Sequence, residues 1–284
     1  MAGAGKAPAS PLHDEGDQVP RFAYLKPTTR AKLVRASTYV IAIAFLATIL
    51  LAADWQTLLP KVADGEIAAA MFPAVLTTAL VNTLLYTLIS FAVGTVLAVL
   101  LAVMKLAGGP LSWIATAFIE LFRGVPALLT IFAFAFILPI AFGVRLPGGT
   151  VGAGLVGLVV VTAAYMAEII RSGIQAVPAG QREAARSLGM SSMQTMFSVV
   201  LPQGLRIVIP PMTNEFVLLL KDTSLLFVAG LAISQKELTT FGRDALSTYS
   251  NATPLFVVAA LYLVVTLPLT WLVGRLEKRL DPKR

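Results

Sequence analysis

The sequence predicts an all-α membrane protein of about six transmembrane helices. Of its 284 residues, 57% are hydrophobic and only 13% are charged, against about 25% charged in an ordinary soluble domain. The mean hydropathy is +0.82. A soluble chain of this size has too little interior to hide that many apolar side chains, which leaves a bilayer as the solvent. The apolar residues also fall into six runs, at 34–53, 74–104, 125–142, 151–172, 207–233 and 254–274. Each run approaches or exceeds the roughly 20 residues a helix needs to cross the hydrocarbon.

Residues 1–32 are polar, lack an apolar run and read as a mobile cytosolic leader. Their Gly3-Ala4-Gly5-Lys6 is no phosphate loop, because the glycine spacing, the hydroxyl after Lys and a preceding strand are missing. The run 34–53 follows Arg30, Lys32 and Arg35 as a secretory signal would, but it starts too late and runs too long. It is read as an additional N-terminal span that, with an external loop, fills 33–72. The run 74–104 has length to spare for tilting. Asn82 and Thr83 within it offer hydrogen bonds to neighbouring helices.

Glu120 and Arg123 place an interfacial helix ahead of the third span, which Pro126 begins. The fourth run opens on Gly152-Ala-Gly154-Leu-Val-Gly157, formally a dinucleotide fingerprint. With no strand before it and no acid about 20 residues on, it reads as close helix packing. The fifth run carries Pro210-Pro211, read as a break near the inner interface. The last run leads into a basic tail, 277–284. Trp55, Trp113 and Trp271 fall near span ends, as interface anchors do.

Charge gives the orientation. The segments 1–35, 105–124, 171–206 and 275–284 hold 17 of the 22 Lys and Arg. The alternate loops hold only Lys61, Arg145, Lys236 and Arg243, and Lys221 lies inside a span. The positive-inside rule then puts both termini in the cytoplasm. Cations spread over several loops form no stripe for nucleic acid. No cysteine is present and His13 in the leader is the sole histidine, so neither a metal site of thiolates or imidazoles nor a catalytic triad is expected.

The longest inner loop, within 173–206, is the most specific part of the chain. Pro178 suits a first helical position, Gln181–Leu188 are good helix formers, and Gly189 can take the left-handed conformation that closes a helix. Ser191 or Ser192 can cap a second helix, which Pro202 stops or kinks. Ala184 and Ala185 leave a smooth surface. Met193, Phe197 and Val200 share one face. So ordered a loop with apolar side chains on the water side is expected to dock another protein.

Glu183-Ala184-Ala185, then Gly189, then Leu201-Pro202 resembles the EAA loop of ABC-transporter permeases. Glu120-Leu-Phe-Arg-Gly-Val-Pro126, Ala167-Glu-Ile-Ile-Arg171, Gly173-Ile-Gln-Ala-Val-Pro178 and Pro210-Pro-Met-Thr-Asn-Glu-Phe216 through Leu220-Lys-Asp-Thr-Ser-Leu225 narrow the resemblance to the polar-amino-acid importer branch. Gly204 departs from the usual Ala. The resemblance implies a five-helix permease core over 73–276, to which the 33–72 segment is added, in the cytoplasmic membrane of a prokaryote. It implies a transport subunit that is not itself an enzyme and holds no cofactor. Two ATP-binding partner subunits would carry ATP and magnesium and accept the loop. A second permease, identical or related, would complete the pathway in the lipid, and an extracytoplasmic binding protein would deliver the amino acid, glutamate or glutamine, with basic amino acids as the alternative. The alternatives are a self-contained secondary transporter or channel, and a membrane-embedded enzyme.

Ionisable and polar residues in spans mark candidate pathway positions. Lys221, Asp222 and Thr223 lie midway along 207–233, and Asn214 and Glu215 follow the Pro-Pro pair. Glu168 has Arg171 three residues on, the spacing of a local ion pair. Asn82 completes the set.

Overall fold

The computed structural model describes residues 27–144 and 146–280. Most of the predicted leader, the cation at 145 and the last four residues of the basic tail lie outside them. Every described element is helical. The chain divides into two units, residues 1–58 and 59–284.

In the first unit, α1 (Pro27–Ala52) takes in the last six residues of the predicted leader. Tyr39, Ile41, Phe45 and Leu51 are exposed on it, apolar on all sides as a helix solvated by lipid should be. Beyond its end, Trp55 donates its indole N–H to the Leu50 carbonyl (2.6 Å). Asp54 accepts from the Thr57 amide and hydroxyl, and thereby caps α2 (Trp55–Val62).

In the second unit, α3 (Gly65–Ala70) is capped by Asp64. A π turn, Val75–Leu80, runs into α4 (Val81–Ala107) as one 33-residue apolar rod. Gly108 and Gly109, both at positive φ, reverse the chain into α5 (Gly109–Gly124). At Val125-Pro126 the path bends by 107° into α6 (Ala127–Phe132), a π turn and α7 (Leu138–Phe142). Glu120 and Arg123 lie in the last two turns of α5, before this bend, and Pro126 takes the N-cap position of the helix that follows. Leu111, Trp113 and Ile114 stay exposed on α5 and give it an unpartnered apolar side.

α8 (Gly149–Gln175) is the centre of the unit. Ala98 and Ala102 of α4, Ala115 and Ile119 of α5, and Val208 further on pack with its Ala163, Met166 and Ala167. Glycines make the approach possible. A Cβ at Gly157 would sit 3.0 Å from Ile131 Cα, and one at Gly173 would sit 2.2 Å from Val208 Cγ2. The Gly152–Gly157 run is thus a packing motif, as its sequence context implied.

The inner loop forms α9 (Ala179–Ser187) and α10 (Ser192–Thr195), followed by a π turn at Met196–Val200 that leads directly into α11 (Leu201–Asp222). Two expectations are corrected here. Pro202 does not stop the helical path: it occupies the first turn of α11, directly after the π turn. Pro210 and Pro211 do not break the span either, since α11 runs through both. The break comes later, where α11 tightens into a 3₁₀ turn at Thr223–Ala229. A second 3₁₀ turn (Ile233–Gln235), α12 (Leu238–Tyr249) and α13 (Thr253–Leu280) complete the fold.

Among the described residues, four helices are long and apolar enough to cross a membrane, and a fifth is gained if the bent α5–α7 segment counts as one span. The stretch expected at 207–233 is absent from that set for two physical reasons. Its helix starts in the polar loop, and it changes to 3₁₀ at the polar Asp222-Thr223 step.

Candidate transport and coupling surfaces

The corner of the inner loop is built from short-range bonds. Gly189 holds φ at +84° and donates its amide to Arg186 O. The Met190 amide reaches back to Ala185 O (3.2 Å), and Arg186 returns a guanidinium bond to Met190 O (2.8 Å). Ser191 and Gln194 then form a reciprocal capping box. Ala185 is buried and fixes α9 to the unit, whereas Glu183, Ala184 and Gly189 face out. The apolar face predicted at Met193, Phe197 and Val200 divides: Val200 enters the core, while Met193 and Phe197 are 69% and 60% exposed. Leu188, which the sequence reading passed over, is 84% exposed. Three large apolar side chains thus stand out around one rigid corner. Leu201 is half-buried where the loop joins α11, and Pro202 beside it is exposed.

The span polar residues separate into two kinds. Glu168 is engaged: the guanidinium of Arg171 closes on its carboxylate, and Lys105 Nζ of α4 lies 3.3 Å from Oε2. The local pair predicted from the spacing is present, extended by a cation on another helix that the sequence did not pair with it. Asn82 is engaged as well. Its amide donates to Ser234 O (2.9 Å) and Lys236 O (3.0 Å), and the neighbouring Thr83 hydroxyl accepts the Leu238 amide (3.0 Å). Tyr86, one turn on, donates to Gln235 O (2.9 Å). These side chains cross-link α4 to the turn before α12.

The residues of α11 are of the other kind. Asn214 and Lys221 are exposed, Glu215 and Asp222 are half-buried, and Thr223 is buried. None of the three charged ones joins an ion pair among the described residues. The seven-residue spacing puts Asn214 and Lys221 on one line of the helix and Glu215 and Asp222 on the adjacent line. Exposed Ile207, Leu218 and Pro211 share the first line.

A group the sequence reading missed is Glu237. Its carboxylate is fully buried and accepts from the Thr239 amide (2.6 Å), the Thr240 amide (2.7 Å) and the Thr240 hydroxyl (2.5 Å) at the start of α12. Burial pushes its carboxyl above the ordinary carboxylate range, against the pull of those donors. Its position between a loop and a helix gave a capping signal, but nothing in the sequence pointed to its burial.

Long apolar helices packed around a glycine-lined centre, with a helical corner that leaves Leu188, Met193 and Phe197 exposed, define a multi-helix membrane protein. The model of binding-protein-dependent transport system inner membrane components matches residues 94–282, and the chain belongs to that family. More narrowly, it is an ABC transporter permease of the amino acid type. It is 45% identical over 203 residues to the probable glutamine ABC transporter permease protein GlnM of Bacillus subtilis, covering 70% of this chain and 90% of the relative. It is 37% identical over 210 residues to the arginine transport system permease protein ArgU of Corynebacterium glutamicum, covering 69% of this chain and 65% of the relative. The crystal structure of an amino acid ABC transporter with histidines superposes with a TM-score of 0.70 at 35% identity, covering 76% of this chain and 99% of that one.

Proposed function

We propose that the chain forms, with a second permease identical or related to it, the translocation pathway of an ATP-driven importer of glutamine or glutamate. Both termini face the cytoplasm of a prokaryotic cell, and an extracytoplasmic binding protein supplies the amino acid from the other side. ATP and magnesium are handled by two partner ATPase subunits. The observation that carries the coupling role is the exposure of Leu188, Met193 and Phe197 around the Gly189 corner. A cytosolic loop gains nothing from holding three large apolar side chains in water unless a partner covers them.

The short bonds that stiffen the corner suit a lever: a push on α9 or α10 passes through the continuous π turn into α11. Glu183, exposed beside Ala184, offers the partner a charged contact. On α11 the exposed line with Asn214 and Lys221 is too polar for lipid, which favours a pathway between two permeases. The name of GlnM supports the choice of glutamine.

The test is co-purification with a co-expressed ATPase subunit of an amino acid ABC importer, then amino-acid-stimulated hydrolysis in liposomes. Gly189→Ala imposes a left-handed conformation on a residue with a Cβ, at about 1–2 kcal/mol. Both it and Glu183→Ala are expected to weaken ATPase assembly and stimulated hydrolysis. If the two variants assemble and hydrolyse as the parent does, the docking assignment is wrong.

Glu215 and Asp222 support a second reading, a cationic amino acid, because two half-buried acids two turns apart on α11 lack a cationic partner among the described residues. Uptake by Asp222→Asn separates the two. Loss of arginine uptake with glutamine uptake intact supports the cationic reading, and unchanged uptake of both removes Asp222 from the pathway.

A further inference from the structure

We propose that one face of the C-terminal end of α13 is a binding surface for anionic phospholipid headgroups, formed by Trp271, Arg275, Lys278 and Arg279. The proposal rests on the inside orientation given above.

The argument starts with length. At 1.5 Å per residue the 28 residues of α13 span about 42 Å, against about 30 Å of hydrocarbon, which leaves about 12 Å, or two turns, to extend beyond it, and the cations at the C-terminal end place that overhang in the headgroup layer. Six of its exposed residues share one stripe. Val264, Leu267 and Trp271 are 67%, 62% and 58% exposed, and their spacing of three and four continues through Arg275 to Lys278 and Arg279, all exposed. Along one face the chemistry passes from aliphatic to aromatic to cationic, in the order of depth from acyl chain to phosphate.

The opposite face is accounted for. Val273, only 6% exposed, lies about 200° around the helix from both Trp271 and Arg275, so the stripe points away from the packed unit. Glu277, the acid among these last described residues, lies about 200° from Arg275 and leaves the stripe purely cationic. The Arg275 guanidinium stacks on the Trp271 ring at 3.6 Å from its centroid. Stacking holds the guanidinium at the ring's depth and keeps its edge N–H groups available for a phosphate. Among the described residues none of the three cations is in an ion pair.

Charge decides between occupants. A second copy meeting this face across a two-fold axis would bring Arg275, Lys278 and Arg279 against themselves, and like charges repel. A leaflet rich in anionic lipid offers the complementary charge at the depth the stripe reaches.

The experiment uses the full chain in neutral detergent and counts bound lipid by native mass spectrometry during titration with dioleoyl phosphatidylglycerol or dioleoyl phosphatidylcholine. The expected result is preferential retention of phosphatidylglycerol that weakens with salt and that an equal concentration of inorganic phosphate does not displace. The triple variant Arg275→Gln, Lys278→Gln, Arg279→Gln should lose about tenfold or more of that preference, since each cation near an anionic surface contributes a factor of roughly five. Trp271→Ala should lose less, and Glu277→Gln nothing. A triple variant that keeps the parent's preference, or displacement by free phosphate, overturns the proposal. So does a photo-crosslinker at position 275 that captures a second copy or an ATPase subunit in native membranes. Labelling of Leu280→Cys, in a chain without native cysteine, checks orientation separately: labelling from outside intact cells removes the orientation while leaving the lipid titration to be judged on its own.

Discussion

Two spans of the same unit, α8 and α13, have almost the same length and hydropathy and opposite fates. α8 has 27 residues and α13 has 28. Of their apolar stretches, 72% is buried in α8 and 11% in α13. Apolarity therefore says that a helix lives in the membrane and says nothing of what it touches there. Side-chain size decides the contact. α8 carries Gly152, Gly154, Gly157, Ala163, Ala164, Ala167 and Gly173 where other helices approach, while α13 presents Leu263, Val264, Leu267 and Leu272 outward. Lipid tails are as apolar as leucine, so helices associate where small residues let backbones come close.

The comparison breaks if glycines of the two helices tolerate bulk equally. At Gly157 a Cβ would already lie 3.0 Å from Ile131 Cα and 3.1 Å from Phe134 Cβ, while at Gly274 of α13 nothing lies within 4 Å. Gly157→Leu is expected to cost more than the ~3 kcal/mol upper range of ordinary overpacking, because backbone and not a side-chain tip stands in the way. It should abolish the monodisperse peak in size-exclusion chromatography. Gly274→Leu should leave the peak and the thermal midpoint unchanged. Equal behaviour of the two variants would remove side-chain size as the explanation.

Charge gives a second, smaller contrast. The acid of α8, Glu168, is held by Arg171 and by Lys105 of α4 with about a fifth of its surface exposed, and the acid near the end of α13, Glu277, is exposed. Glu168→Gln leaves two cations without their counter-charge and is expected to lower stability by about 1–2 kcal/mol, after allowance for solvent screening at a partly exposed site. Adding Lys105→Met should recover part of that loss, and Glu277→Gln should be neutral. Chemical denaturation in detergent measures all three. Strictly additive effects of the two changes would show that Lys105 and Glu168 do not interact.

The sequence made the membrane class, the start of a new helix at Pro126, the Gly189 corner and the Glu168–Arg171 pair readable. Each of these follows from a local signal: a run of apolar residues, a charge pair at helical spacing, a glycine after a helix-forming run. What it left hidden depends on distance. Lys105 is 63 residues from Glu168, and the carbonyls that Asn82 holds are more than 150 residues away. No local pattern encodes such partners. The expected breaks at Pro202 and Pro210-Pro211 failed for a related reason. Proline propensity is local, and helices of membrane proteins tolerate an interior proline that would break an isolated helix.

The smallest effect concerns how α13, having so little buried surface, is held at its other end. Its Thr253 hydroxyl accepts the Asp64 amide (2.9 Å), and Tyr262 meets the Thr239 hydroxyl (3.1 Å) and Glu237 Oε2 (3.5 Å). Glu237 is thus a titratable group at an attachment of α13, with Tyr262 as its facing partner. Because burial raises its carboxyl above the ordinary value of 4.5, the fold favours the protonated form. The sign follows: this contribution is fully present below the unfolded value and is lost as pH rises through the higher folded value. The thermal midpoint of the parent should therefore fall as pH is raised through the range above 4.5, and Glu237→Gln, neutral throughout, should flatten that part of the profile. The same substitution should leave the α4–α8 contact untouched, so the Gly157→Leu phenotype should not depend on it. A parent profile with the same slope after Glu237→Gln would assign the pH dependence to another group and leave α13 held by its uncharged hydrogen bonds alone.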